Sequence, residues 1–284
     1  MATEWKKIDV VLIRHAESNN NVIYETVRQR FQNLPLSAEQ FEQEVAKLHS
    51  PDPVLSPKGQ TQAGAVGKFI AAGGLSKPIT SAEDWKICSS PMRRCLHTSR
   101  EIGQALNIDV TVVPFLFESE GCFLSMPGGE TVGQPGMKTS EIEDEFPRFS
   151  CEAGMENGWY TLPHRESRRQ FLDRSESVAN WLWELLVQAP EQRGFKTGIV
   201  LSIHGNLIGA LIAALFKSEM LIAHDNTGIT HVQLWVNATG KRKLASIHYL
   251  NKVDHLHSRP ELISGSEIVK DHWLQEFTEE VEDL

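Results

Sequence analysis

Cysteine is scarce in this chain: four residues in 284, Cys88, Cys95, Cys122 and Cys151. They form no Cys-x-x-Cys pair and no Cys/His spacing of a metal site, so the residues imply neither a disulfide framework nor a metal centre. Reduced thiols in an intracellular, cytoplasmic protein are the expectation. Positive charge is also in short supply. Lys and Arg number 28 against 37 Asp and Glu, a formal net charge of −9. Nucleic acid is therefore not expected as the main partner, because phosphate-backbone binders carry a basic surface. A small anion stays within reach, since a few local arginines can hold a phosphate on an acidic protein. No apolar run approaches the roughly 18 residues needed to span a membrane. The longest, Leu207 to Phe216, has the length of a core helix. No signal-peptide pattern precedes the first strand, and there is no internal repeat or low-complexity tract.

What is present is alternation. Val10-Val11-Leu12-Ile13 is a short apolar run, three of its four residues β-branched, which predicts a strand buried on both faces of a parallel sheet. Arg14-His15 ends it, placing a cation and an imidazole at the strand's carboxyl edge, where open α/β sheets bind ligands. Asn19-Asn20-Asn21 reads as a polar turn, followed by a helix from Val22 to Phe31. Ser37 to Gln40 is a capping box opening a second helix to about Leu48. Ser56-Pro57 starts a third helix, ended at Gly73-Gly74. Trp85 to Ser89 predicts a strand, Ser90-Pro91 to Leu106 a helix, and Asp109 to Val113 a strand. Residues 118–165, punctuated by Gly and Pro, are expected to be a loop-rich cap over a site, with a short helix from Ser140 to Phe146 inside it. Ser167 to Gln188 is an amphipathic helix, Gly198 to Ile203 a second buried strand ending at His204-Gly205, and Asn206 to Phe216 the helix behind it. Thr230 to Val236 and Leu244 to Leu250 pair across a hairpin turn, and 266–284 has the spacing of a docked amphipathic helix. The whole reads as one α/β domain, three layers around a mostly parallel sheet.

Two imidazoles at carboxyl edges, His15 and His204, with Arg14 and the pair Arg93-Arg94 nearby, suit a tetrahedral dianion, because guanidiniums pair bidentately with phosphate oxygens. These pieces carry a resemblance. Arg14-His15-Ala16-Glu17-Ser18 resembles the Arg-His-Gly-Glu-Ser signature of the histidine phosphatase superfamily, phosphoglycerate-mutase-like branch. Leu55 to Ala63, Ser90 to Thr98, Leu116-Phe117-Glu118, Ser202 to Gly205, Asn226 to Thr230 and Asn251 to Leu256 resemble further elements of that family, in its order.

The resemblance implies that His15 is a nucleophile forming a phosphohistidine. It implies that Arg14, Arg94 and His204 clamp the phosphate, that Asn21 contacts it, and that Glu118 is the general acid. Arg93 and Glu120 are the rivals of Arg94 and Glu118. It also implies a phosphoglycerate-mutase-like fold, a small phosphorylated substrate and no cofactor or metal. His255 and His257 read as a core and a surface histidine. Two departures stand out. Ala16 takes the place of a glycine, and Phe117-Glu118-Ser119-Glu120-Gly121 takes the place of the mutases' Glu-Arg-His-Tyr-Gly. Without those basic residues, hydrolysis of a phosphomonoester is expected over mutase activity. A silent phospho-ligand-binding protein is the alternative from another class. The inserted segments 19–50 and 118–165 are expected to shape the pocket, with Trp159, Tyr160, His164, Arg165, Arg168 and Arg169 as substrate contacts.

Overall fold

The computed structural model describes residues 5–31, 37–75, 78–79, 81–126, 129–188, 197–218 and 222–265. The expected C-terminal helix over 266–284 lies outside them.

The first apolar run forms β1 (Trp5–Arg14), and its alternation decides the architecture. Ile8, Val10 and Leu12 point into one core, and Val11 and Ile13 into the other. A strand with both faces buried needs a layer on each side. One layer is α6 (Arg168–Val187) with α7 (Gly205–Phe216), whose Val178, Leu182, Leu207 and Leu211 meet Val10 and Leu12. The other contains α3 (Pro57–Ala71) and α4 (Arg93–Leu106), which bring Val66, Ile70, Leu96 and Ile102 against Val11 and Ile13.

Between the layers lies a seven-stranded sheet in the order β6-β3-β2-β7-β1-β8-β9. Its strands are β2 (Trp85–Ser89), β3 (Val110–Val112), β6 (Phe149–Cys151), β7 (Gly198–Ile203), β8 (Ile229–Asn237) and β9 (Lys243–Lys252), together with β1. β6, β3, β2, β7 and β1 run parallel, while β8 and β9 form the expected antiparallel hairpin. The register sets Arg14 beside Ile203 and Ser89 beside Ser202. Three strand ends therefore deliver His15, Ser90 and His204 to one edge of the sheet.

The helix starts are chemically specified. Ser37 and Ser167 close capping boxes on Gln40 and Gln170, at the heads of α2 (Ala38–Ala46) and α6. Ser56 accepts the Gly59 N–H at 3.0 Å with Pro57 behind it. Gly59 is also a packing requirement, because a β-carbon there would lie 2.0 Å from the Glu17 carbonyl oxygen. The helix start can thus close directly on the loop that carries His15.

Three expectations are corrected. Helix α1 (Asn19–Phe31) begins at Asn19 instead of Val22, because Ser18 and Asn21 bond reciprocally at its first turn. Helix α4 begins at Arg93 instead of Pro91; the Ser90 hydroxyl accepts the Met92 N–H and holds a bend there. The stretch 118–165 is more ordered than a loop. Besides the expected helix, α5 (Thr139–Glu145), it holds a hairpin of β4 (Phe123–Ser125) and β5 (Thr131–Gly133), and β6, the edge strand of the main sheet. Strands of three residues are too short for alternation to register in a sequence.

Candidate active site

The parallel strand ends open into a cleft of about 770 Å³, including its mouth, with Arg14, His15, Arg94, Glu118 and Asn21 on its walls. His15 is buried to 3% exposure, and both ring nitrogens are committed. Nδ1 stands 2.7 Å from the Ala16 carbonyl, an acceptor, so it carries the proton. Nε2 receives the Arg94 Nε–H at 3.2 Å, so it presents its lone pair to the cleft. Burial, with Arg94 and Arg14 close by, holds the imidazole well below its ordinary protonation range. A neutral ring whose cleft-side nitrogen carries a lone pair, held here only by one hydrogen bond that a phosphate oxygen can take over, is what a nucleophile requires.

Arg14 is fixed from behind. Its Nη1 donates to the His224 carbonyl at 2.5 Å, and burial lowers its pKa to about 10, so it stays a cation. Arg94, one turn into α4, faces the same cleft. Arg93 points away and pairs in a fork with Glu145 at 2.8 and 3.0 Å, which separates the two adjacent arginines. Asn21 lines the cleft from the first turn of α1, with its Oδ1 accepting from Ser18 N–H at 3.0 Å. His204 departs from the expected clamp position. It is fully buried, its ring 5.2 Å from that of His15, with Nε2 2.7 Å from the Ser90 hydroxyl. It stands behind His15, outside the cleft walls.

Glu118 is held on the start of α7. Its carboxylate accepts the Leu207 N–H at 3.2 Å, the Asn206 N–H at 3.3 Å and the Ser119 N–H at 2.9 Å. Free backbone N–H groups at a helix start are natural partners for a carboxylate. The loop behind it is stapled by Arg174 on α6, a residue the sequence reading did not single out. Its guanidinium forks onto Glu166 at 2.8 and 2.7 Å and donates to the carbonyls of Phe115, Phe117 and Glu118. It also lies 3.6 Å from the centre of the Phe117 ring. The signal was available: Arg174 is a cation beside the apolar stripe Phe171, Val178 and Leu182, where only a satisfied charge can sit.

Glu17 is a second hub, in a supporting position beside the site. It accepts the Ser56 hydroxyl at 2.7 Å and the Ser264 hydroxyl at 3.1 Å, tying the His15 loop to α3 and to the segment 262–265. Of the six expected substrate contacts, Arg165 touches side chains of the cleft wall, those of Glu120 and Phe123. Trp159 and Tyr160 are buried in the core, and none of the six lines the cleft. Tyr24, His49 and Phe123 line it instead. Cys122 is a buried free thiol, and His255 bonds Thr227 at 2.8 Å while His257 is exposed.

The buried imidazoles have a measurable consequence. His15, His204 and His224 are all lowered by burial, His224 to about 4. The unfolded chain takes up protons near pH 6.5 while these folded groups do not. Stability is therefore lost as pH falls below 6.5, by roughly 1 kcal/mol per pH unit for each group until its folded pKa is reached. Asp52, raised to about 6 by burial, works against this with one group of opposite sign. Urea unfolding should show a midpoint clearly lower at pH 5 than at pH 7; equal midpoints would refute neutral burial of these rings.

A parallel-sheet edge that gathers a neutral imidazole, two guanidiniums and a carboxylate around one cleft is the architecture of a phosphate-handling α/β protein. The histidine phosphatase superfamily (branch 1) model matches residues 10–245, and the chain belongs to that family. Among solved structures, mycobacterial hydrolase 2 aligns with a TM-score of 0.51 at 18% identity, covering 93% of this chain and 96% of that one. A mycobacterial glucosyl-3-phosphoglycerate phosphatase aligns with a TM-score of 0.50 at 19% identity, covering 88% and 100%. At these identities the likeness is one of fold. No curated protein sequence matches the chain.

Proposed function

We propose that this single-domain protein hydrolyses small phosphomonoesters through a phosphohistidine on His15. The observation that carries the reading is the committed tautomer: Nδ1–H on the Ala16 carbonyl, and the Nε2 lone pair facing the cleft between Arg14 and Arg94. In the first step Nε2 attacks phosphorus, the P–O bond to the alcohol breaks, and Glu118 supplies the proton to the departing oxygen. The Arg94 N–H that holds Nε2 passes to a phosphoryl oxygen. Arg14 and Arg94 stabilise the charge spread over the three non-reacting oxygens as transfer proceeds. Asn21 adds a polar contact at the same wall. In the second step Glu118 takes a proton from water, whose oxygen attacks phosphorus; the P–N bond breaks and neutral His15 is restored. His204, behind the nucleophile, fixes the His15 ring.

Both guanidiniums and the acid belong to the chain, so this route needs no metal. The four cysteines are free thiols, which suits a reducing, cytoplasmic setting. The complete set with its acid favours turnover over silent phosphate binding, which has no use for Glu118. The purified protein is expected to release phosphate from 4-nitrophenyl phosphate at a rate that EDTA leaves unchanged. Absence of turnover would overturn the proposal. A requirement for metal would overturn its mechanism.

A further inference from the structure

The cleft's outer wall has a feature that bears on which phosphomonoester enters. Glu120 lines the cleft two residues beyond Glu118 and adopts a left-handed backbone, φ +74°. For a residue with a β-carbon this conformation is unfavourable and persists only where the surroundings impose it. They do so through the Glu120 carbonyl, which accepts the Glu166 N–H at 2.9 Å and the Tyr160 hydroxyl at 3.1 Å. The side chain is thereby turned to the cleft, where it binds the Arg165 guanidinium. Arg165 also lies over the Phe123 ring at 5.4 Å, and the other partner of that ring is His49, stacked at 5.7 Å.

The electrostatic result is specific. Among the described lining residues, Arg14 and Arg94 are the only Arg or Lys, and the His15 loop claims both. The next cation outward, Arg165, is tied by Glu120, and His49 is held neutral by burial and by Arg94 and Arg165. A leaving group entering past Tyr24, His49 and Phe123 meets aromatic rings, amides and carboxylates. A neutral polyol or ring fits that wall. A second anionic group would lose its hydration there and gain no cationic partner.

Resting on the phosphatase reading above, we infer that the Glu120–Arg165 pair determines specificity, excluding phosphomonoesters whose alcohol bears a carboxylate and admitting those whose alcohol is neutral. Glu120 does this by keeping Arg165 occupied, so removing the carboxylate frees a cation at the cleft mouth.

The test uses two competitors that differ in that one group, glycerol 3-phosphate and 3-phosphoglycerate, each measured as an inhibitor of 4-nitrophenyl phosphate hydrolysis by the full chain. Wild type should bind glycerol 3-phosphate at least about fivefold more tightly, the scale of one unfavourable charge contact at a partly exposed site. In Glu120→Gln the ratio of the two inhibition constants should narrow by at least about threefold, chiefly through tighter binding of the acid. In Arg165→Gln, which removes the cation, the ratio should widen or hold, and a narrowed ratio overturns the inference. A wild-type ratio near one, or a Glu120→Gln ratio equal to wild type, overturns the inference and leaves the phosphatase reading standing. No turnover of 4-nitrophenyl phosphate by wild type would instead remove the phosphatase reading and this inference with it. The Arg165→Gln arm and the wild-type ratio remain decisive if Glu120→Gln fails to fold.

Discussion

Replacing His15 with alanine lowers phosphate release from 4-nitrophenyl phosphate by at least about three orders of magnitude, the scale on which removal of a covalent nucleophile is felt. The size of the effect follows from how completely the ring is committed. Its Nδ1 proton is spent on the Ala16 carbonyl, and its Nε2 is the one imidazole nitrogen of the His15–His204 pair that faces the cleft. His204 cannot substitute, being fully buried with its Nε2 on Ser90. The clamp remains in the variant, so inorganic phosphate should still bind while turnover is lost. Rapid acid-free quenching of wild type during turnover should recover protein-bound phosphate that is labile to acid, and His15→Ala should carry none. Full activity in that variant would dismiss the phosphohistidine altogether.

The second large effect is selective. Glu118→Gln removes the transferable proton, and its amide can accept from only one side, setting its NH2 against the N–H of either Asn206 or Leu207. Loss of a general acid is worth about 10²–10⁴ when the leaving oxygen needs its proton. An alkyl phosphate such as glycerol 3-phosphate should therefore slow by about that factor, while 4-nitrophenyl phosphate, whose phenolate leaves unaided, should slow by less than about tenfold. Equal slowing of both would transfer the acid's role away from Glu118, with Glu120 the next carboxylate in the cleft.

How far the residues alone carried this picture depends on the range of the interactions. Strands β1 and β7 are legible because burial on both faces demands continuous apolar runs, and the helices because Ser37, Ser56 and Ser167 announce their starts. The family pattern located Arg14, His15, Arg94 and Glu118, and the structure brings all four to one cleft. What the sequence hid is long-range pairing. Nothing near Arg174 says that it will grip three carbonyls at positions 115, 117 and 118, and nothing near Glu120 names Arg165 as its partner. The aromatic and basic stretch 159–169 resembled a binding surface, yet Trp159 and Tyr160 go to the core because they pack with Phe117 under the acid loop. Edge strand β6 was equally invisible, its three residues gaining their identity only from β3 alongside.

The contacts behind Arg14 and Glu17 have a consequence for synthesis. The clamp arginine is anchored on the carbonyl of His224, the His15 carbonyl receives Asn226 Nδ2 at 3.1 Å, and Glu17 is tied to Ser264. The partners lie between 210 and 247 positions downstream of the residues they hold. Chains grow from the N-terminus at about 5–20 residues per second, so the nucleophile loop waits on the order of ten seconds or more for the groups that hold it. The parallel half of the sheet has its strands before then. The loop carrying His15 is thus framed only after the parallel strands are complete, and a chain cut short of residue 224 would carry His15 without these contacts that hold its loop.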